Sequence, residues 1–111
     1  AEILAALMRH DIVSAAADEE MIQVMARQQY NSMIPRGVPD GSTVAHKTGW
    51  ITGIRHDAGI VYPPDSAPYT LVILTETPTD EDGNLAYSDE EVVSIVAGLA
   101  RRVHEAVRGT P

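Results

Sequence analysis

Val44-Ala-His-Lys-Thr-Gly-Trp50 is the most informative stretch of this 111-residue chain, because it contains the chain's only lysine within a strand-like pattern. A Lys-Thr-Gly or Lys-Ser-Gly tripeptide arises by chance in on the order of a few per cent of chains of this length. A lysine and a hydroxyl at the rim of a sheet can bind a substrate carboxylate, and a glycine lets a ligand approach the strand closely. Lys47, Thr48 and Gly49 have the chemistry of such a substrate clamp; the alternative is a solvent-facing lysine beside an ordinary hairpin.

The geometry of a strand limits how these residues can act together. Side chains alternate between the two faces, so the side chains of Lys47 and Thr48 reach one cleft only if that cleft lies along a sheet edge. At an edge the backbone N–H of Trp50 is also unpaired, and it can donate to an oxyanion. The three groups can therefore act on one ligand only if this strand lies at an edge of the sheet.

Three strand-like runs are expected, over residues 43–50, 56–62 and 69–76. The third reads Tyr-Thr-Leu-Val-Ile-Leu-Thr and has strong β propensity. The connection over residues 51–55 is short and contains Gly53, which favours a hairpin. The connection over residues 63–68 is too short for a crossover helix, so the third strand should return antiparallel. The sequence predicts an α+β fold with a three-stranded antiparallel sheet.

Helical patterns flank the strands on both sides. Apolar spacing indicates one helix over residues 2–9 and a second over residues 18–30, with Asp18 as its N-cap. Residues 35–41 contain two prolines and two glycines and are expected to form a loop. A capping box at Ser88-Asp-Glu-Glu91 predicts the start of a long final helix. Its apolar stripe and its stop signals are expected at Val92, Val96, Leu99, Val103, Val107, Gly109 and Pro111.

Composition excludes several classes of function. The chain has 8 basic and 16 acidic residues and a net charge of −8, which argues against binding to nucleic acid or to an anionic membrane. No apolar run approaches the roughly 18–20 residues of a membrane span, so a soluble domain is expected. The chain has no cysteine, which excludes disulfides, thiolate metal sites and cysteine catalysis.

The sequence also predicts that the chain holds neither a metal nor a cofactor. Its four histidines lack the spacing of a zinc motif. Residues 80–91 resemble a calcium-binding loop in their acidic positions, but Leu85 occupies the position where the turn requires glycine. Glycine-rich motifs for a dinucleotide or a phosphate are absent from the sequence, as is the Gly-x-Ser-x-Gly nucleophile motif.

Two segments together resemble the C-terminal portion of class A β-lactamases, serine hydrolases of the penicillin-recognising fold. They are Gln28-Gln-Tyr-Asn-Ser-Met-Ile-Pro-Arg-Gly-Val-Pro-Asp-Gly-Ser-Thr-Val-Ala-His-Lys-Thr-Gly-Trp50 and Gly53-Ile-Arg-His-Asp-Ala-Gly-Ile-Val61. That family uses Ser-x-x-Lys for the nucleophile, Ser-Asp-Asn for a proton relay and Lys-Thr-Gly as a substrate clamp. The resemblance implies that Lys47 and the Trp50 N–H are catalytic, the latter in the oxyanion hole. It also implies that Lys47, Thr48 and Gly49 bind substrate.

The first two family motifs do not occur in this chain. The sequence also lacks an initiator methionine and a signal-peptide pattern at its start, which suggests a piece of something longer. Residues 1–111 are accordingly expected to form the C-terminal part of a single β-lactamase-like domain, without the nucleophile and inactive alone. A hairpin longer than in typical β-lactamases precedes Arg55, so the resemblance does not assign the family's carboxylate-binding arginine.

The resemblance implies that the complete protein hydrolyses a β-lactam or a related amide through an acyl-enzyme. Two alternatives remain open: a D,D-peptidase or penicillin-binding amidase of the same fold, and a non-catalytic module that keeps the half-sheet to bind a partner. The expected partners are the N-terminal segment of the same protein and a small β-lactam or peptidoglycan-like substrate. A true β-lactamase would be periplasmic or secreted in a bacterium.

Overall fold

Three antiparallel strands in the order β1-β2-β3 form the centre of the structure, a computed structural model that describes residues 1–109. The helices and strands are α1 (Glu2–Met8), α2 (Ala15–Ala26), α3 (Ile34–Gly37), β1 (Thr43–Ile51), β2 (Ile54–Tyr62), β3 (Tyr69–Glu76) and α4 (Asp89–Arg108). Each strand pairs with the next one along the chain, so the expected α+β fold with an antiparallel sheet is confirmed.

The first hairpin is tighter than the sequence analysis predicted. The ladder between β1 and β2 continues to the pair Ile51 and Ile54, which leaves a turn of only Thr52 and Gly53. Gly53 has a φ of +80°, a conformation that glycine adopts without steric strain. The predicted connection over residues 51–55 was therefore too long, because both of its ends belong to the strands.

The alternation of side chains divides the core between the two faces of the sheet. On one face, Val44, Val61 and Ile73 pack with Met33, Ile34 and the buried side of α4. On the other face, Ala45 and Ile60 pack against Leu7 of α1 and Ile22 of α2. The sheet is thus covered by the N-terminal helices on one side and by α3 and α4 on the other.

The final helix begins as predicted, with a complete capping box. The Glu91 backbone N–H donates to Ser88 Oγ at 3.1 Å, and the Ser88 N–H donates to Glu91 Oε1 at 3.2 Å. One member of the predicted apolar stripe is wrong, since Leu99 is 44% exposed. The buried positions of the helix are Val92, Val96, Ala97, Ala100 and His104. The buried stripe therefore has a spacing of four residues, through Val92, Val96, Ala100 and His104. Pro111, one of the predicted stop signals, lies outside the described residues.

The second helix begins and ends earlier than the sequence suggested. Its N-cap is Ser14, whose Oγ accepts the Ala17 N–H at 3.1 Å, and its last residue is Ala26. Asp18 is therefore not an N-cap but a buried residue inside the helix, where its carboxylate accepts the backbone N–H groups of Ile12 and Val13. Burial raises the pKa of Asp18, but hydrogen bonds from the backbone outweigh it and hold the pKa below its ordinary value.

The predicted loop over residues 35–41 contains a short helix, α3. Pro35 occupies its first turn, where a proline needs no hydrogen-bond donor. Gly37 contacts α4 so closely that an added Cβ would lie 2.1 Å from the backbone oxygen of Ala97. The sequence indicated a loop from these residues. In the structure Pro35 begins a helix, and Gly37 allows that helix to contact α4.

Candidate functional site

A cleft of about 390 Å³ runs along the open edge of β1. Within residues 1–109 this strand pairs with β2 alone, so its other edge is free to face a ligand. The cleft is lined by one segment that follows α2 and one segment of β1: Gln28, Tyr30, Lys47, Thr48, Gly49 and Trp50. The structure thus brings all four predicted site residues to one edge cleft, as their alternation required.

The two-residue turn fixes which backbone groups of β1 face the cleft. In such a hairpin the pair that closes the turn, Ile51 and Ile54, exchanges hydrogen bonds, and bonded pairs alternate with non-bonded pairs along the ladder. Trp50, which lies opposite Arg55 in the next pair, therefore turns its backbone N–H toward the open edge. This is the direction that an oxyanion donor needs.

Lys47 brings an uncompensated positive charge to the cleft. Its side chain is exposed, and its Nζ donates to the backbone oxygen of Thr48 at 2.5 Å. None of the ion pairs formed within residues 1–109 includes Lys47. A free ammonium at the edge of an acidic domain favours an anionic group on the ligand.

Thr48 is packed within the chain, whereas the position of a Cβ on Gly49 is empty. Thr48 is only 4% exposed, and it lies on the strand face opposite to that of Lys47. A Cβ added to Gly49 would meet no atom within 4 Å, so no contact in the described chain requires a glycine there. The space in front of Gly49 therefore belongs to the cleft.

Two aromatic rings form the end of the cleft nearest the hairpin turn, and a guanidinium lies beside one of them. The rings of Tyr30 and Trp50 meet edge to face, with centroids 4.8 Å apart. The guanidinium of Arg55 lies 5.5 Å from the Trp50 ring centroid and forms an ion pair with Asp89 at 2.6 Å. Arg55 faces a neighbouring cavity on the other side of Trp50, rather than the cleft that holds Lys47.

A buried polar network lies directly behind the cleft, and the sequence analysis did not find it. His46 Nδ1 is 2.8 Å from Asp57 Oδ1, and His46 Nε2 is 3.0 Å from Asn31 Oδ1. Asp57 Oδ2 accepts the backbone N–H of Ile34 at 3.0 Å. The available signal was the position of His46, which shares its strand face with the buried residues Val44 and Thr48.

The remaining histidines lie apart from the cleft in other local contacts. His10 contacts Glu19, His56 Nδ1 accepts the Thr75 N–H, and His104 lies between Tyr69 and Asp65. Residues 1–109 contain no cluster of three or more histidine, aspartate or glutamate side chains arranged to hold a metal ion. Over the same residues, no helix has the length and apolar character needed to cross a bilayer.

A family profile described as "Beta-lactamase enzyme family" matches residues 1–107 of this chain. The chain belongs to the beta-lactamase enzyme family. A β-lactamase of Bacillus licheniformis is 36% identical over 74 residues, which cover 65% of this chain and 24% of that protein. The β-lactamase regulatory protein BlaB of Streptomyces cacaoi is 28% identical over 76 residues, which cover 68% of this chain and 23% of that protein. The chain thus spans about a quarter of the length of these relatives.

Solved structures show the same fold. A β-lactamase from Sphaerobacter thermophilus superposes with a TM-score of 0.79 at 24% identity, over 97% of this chain and 38% of that chain. The structure of PBP-A superposes with a TM-score of 0.73 at 26% identity, over 94% of this chain and 37% of that chain. The resemblance to β-lactamases drawn from the sequence is confirmed.

Proposed function

We propose that this chain is the C-terminal segment of a serine hydrolase that opens a β-lactam or a related amide through an acyl-enzyme. The observation that supports this most directly is the edge cleft, where the Lys47 charge, the Thr48 hydroxyl and the Trp50 N–H converge in a member of the beta-lactamase enzyme family. These are the groups that recognise a carboxylate and stabilise an oxyanion.

Each group has a distinct task in the proposed reaction. A serine Oγ from the part of the protein that precedes this chain attacks the amide carbonyl, and the Trp50 N–H donates to the oxyanion that forms. The C–N bond then breaks, the serine proton passes to the departing nitrogen, and water later hydrolyses the ester. Lys47 attracts the substrate carboxylate, Thr48 hydrogen-bonds it, and Gly49 leaves room for it.

The nucleophile has to come from outside this chain in the proposed scheme. All six serines lack a lysine three residues later, so none forms a Ser-x-x-Lys motif: Ser14, Ser32, Ser42, Ser66, Ser88 and Ser94. A hydroxyl without an adjacent base is a weak nucleophile at neutral pH. The proposal therefore assigns binding and oxyanion stabilisation to this chain, and bond-making to its N-terminal counterpart.

The N-terminal segment is also the proposed partner of the apolar surfaces that this chain exposes. Within residues 1–109, β3 pairs only with β2, and Leu74 on β3 is 68% exposed. An open apolar edge strand is a template for pairing with another strand. Val13, in the connection between α1 and α2, and Val24 of α2 are exposed as well and line an apolar groove of about 590 Å³. We expect the N-terminal segment to cover both surfaces.

The complete protein provides the decisive experiment. We expect its reading frame to contain a Ser-x-x-Lys motif upstream of Ala1, and the protein to hydrolyse a chromogenic β-lactam. Mass spectrometry after rapid quenching should show one intact β-lactam added to that serine, since ring opening loses no atoms. Replacing the serine by alanine should abolish both signals. Absence of the motif and of any adduct would contradict the proposal.

Two relatives support the other candidate functions, and the same assay separates them. A mutant form of PBP-A is known as an acyl-enzyme complex with penicillin G, which favours a penicillin-binding amidase. A protein of that kind would form the adduct but release it slowly. The regulatory relative from Streptomyces cacaoi favours a non-catalytic module, which would form no adduct at all.

A further inference from the structure

The His46 ring has a hydrogen-bond acceptor at each of its two nitrogens. Nδ1 faces Asp57 Oδ1 at 2.8 Å, and Nε2 faces Asn31 Oδ1 at 3.0 Å. The amide of Asn31 is oriented by its own Nδ2, which donates to the Gln28 backbone oxygen at 2.9 Å. Turning the amide over would set its oxygen against that carbonyl oxygen. The Nε2 of His46 must therefore donate to Asn31, and with an ionised Asp57 carboxylate Nδ1 donates as well, which gives the imidazolium form.

The ion pair between His46 and Asp57 has no contact with water. The side chains of His46 and Asp57 are both completely buried. A buried charge pair is tolerated when hydrogen bonds occupy the remaining polar atoms, and removal of one partner leaves an uncompensated charge. The second oxygen of Asp57 accepts the Ile34 N–H, so the carboxylate has a partner on each oxygen.

The network joins the two walls of the cleft. His46 immediately precedes Lys47 on β1, whereas Asn31 immediately follows Tyr30 on the opposite wall. The hydrogen bond from the His46 ring to Asn31 therefore links the wall that carries the charge to the wall that carries the aromatic ring. Close packing supports it, since a Cβ on Gly59 would lie 2.6 Å from the His46 Cβ.

We propose that His46, as a buried imidazolium paired with Asp57, is a positioning residue that holds Asn31 and thereby sets the separation of Tyr30 from Lys47 and Trp50 across the cleft. The charge state and the link between the walls are properties of the fold. The effect on substrate binding rests on the proposed function.

The charge state is tested by ¹⁵N-edited NMR of the imidazole rings in the complete protein at pH 7. We expect one histidine with protons on both ring nitrogens, protected from exchange with solvent. Loss of that signal in His46→Gln should assign it to His46, and single substitutions of His10, His56 and His104 by glutamine should leave it in place. A His46 ring with one bare nitrogen would overturn the proposal.

The link between the walls is tested by fluorescence, because Trp50 is the only tryptophan in this chain and touches Tyr30. Tryptophans in the N-terminal segment are first replaced by phenylalanine. Asn31→Leu should then increase acrylamide quenching of Trp50 at least twofold with an unchanged far-ultraviolet circular dichroism spectrum. Asn31→Asp should show a smaller increase than Asn31→Leu, since one carboxylate oxygen still accepts the imidazole N–H while the other loses the hydrogen bond to the Gln28 backbone oxygen. Unchanged quenching in Asn31→Leu would refute the link.

Kinetics then separates positioning from mere folding. We expect Asn31→Leu to raise the KM for a β-lactam at least fivefold and to change kcat less than twofold, with partial rescue by Asn31→Asp. Loss of folded protein alone would instead lower the apparent kcat at constant KM, and would contradict the proposal. Asn84→Leu, in the exposed acidic loop, is the matched control and should have no effect. If the parent has no hydrolase activity, the proposed function fails, while the two spectroscopic tests still decide on the network.

Discussion

Gly59→Ala should strongly destabilise the protein, because the central strand passes too close to β1 at this position. The added Cβ would lie 2.5 Å from the Ala45 backbone oxygen and 2.8 Å from the His46 Cα. Both are backbone atoms of a paired strand and cannot rotate away. Overpacking typically destabilises by about 1–3 kcal/mol, and the rigid neighbours place this substitution near 3 kcal/mol.

A matched glycine-to-alanine substitution elsewhere should instead raise the free energy of unfolding. Gly98 lies inside α4, and a Cβ added there would meet no atom within 4 Å. Alanine is more favourable than glycine inside a helix by about 1 kcal/mol, so Gly98→Ala should stabilise the protein. The two glycine-to-alanine variants should therefore differ by about 4 kcal/mol in the free energy of unfolding.

Urea unfolding of the complete protein measures this difference, with circular dichroism as the probe. With a slope of about 2 kcal/mol per molar urea, the unfolding midpoint of Gly59→Ala should fall by about 1.5 M. The midpoint of Gly98→Ala should rise by about 0.5 M. A Gly59→Ala midpoint within about 0.3 M of the parent would show that β1 and β2 separate easily, and would refute the argument from close packing.

The remaining predictions concern the cleft, the isolated chain and its dependence on pH. Lys47→Ala should lower kcat/KM of the complete protein more than tenfold, with partial rescue by arginine, whereas a change below twofold would make Lys47 a surface residue. The isolated chain should show no β-lactam turnover above buffer, and acylation of any of its serines would disprove this. Light scattering should show the isolated chain as aggregated, and a stable, cooperative monomer of 12.0 kDa would contradict the need for a partner. The hydrogen bond from His104 lowers the pKa of Asp65, so this contribution to stability is present above about pH 4 and disappears as the pH falls through the lowered value. Asp65→Asn should therefore destabilise the protein at pH 7 and have less effect below pH 4, as urea midpoints at both pH values would show.

The sheet could be predicted because its information is local. β-branched runs, a short connection with Gly53 and a proline-rich connection over residues 63–68 identify the strands and their antiparallel order. The Lys-Thr-Gly stretch and the alternation of a strand gave the condition that a shared cleft has to lie along an edge, and the structure meets that condition. The capping box of α4 is equally local, since Ser88 and Glu91 are three residues apart.

The errors arose where tertiary packing overrides local pattern. Asp18 has the chemistry of an N-cap, but Ser14 takes that position, and the aspartate binds the preceding turn instead. The network behind the cleft joins Asn31, His46 and Asp57, which lie far apart in the sequence. No periodicity connects them, so a single sequence offers no means to pair them.

The succession of the strands along the chain has a consequence for the order of folding. β1, β2 and β3 are joined by a two-residue turn and by residues 63–68, so the sheet forms from contacts between neighbours and closes only short loops. The bond between Asn31 and His46 closes a longer loop, and it needs the sheet already in place. The cleft is therefore completed only after the sheet has formed. A ligand that bridges the two walls would act on the last and least protected step, and would slow the opening of this region more than the opening of the sheet.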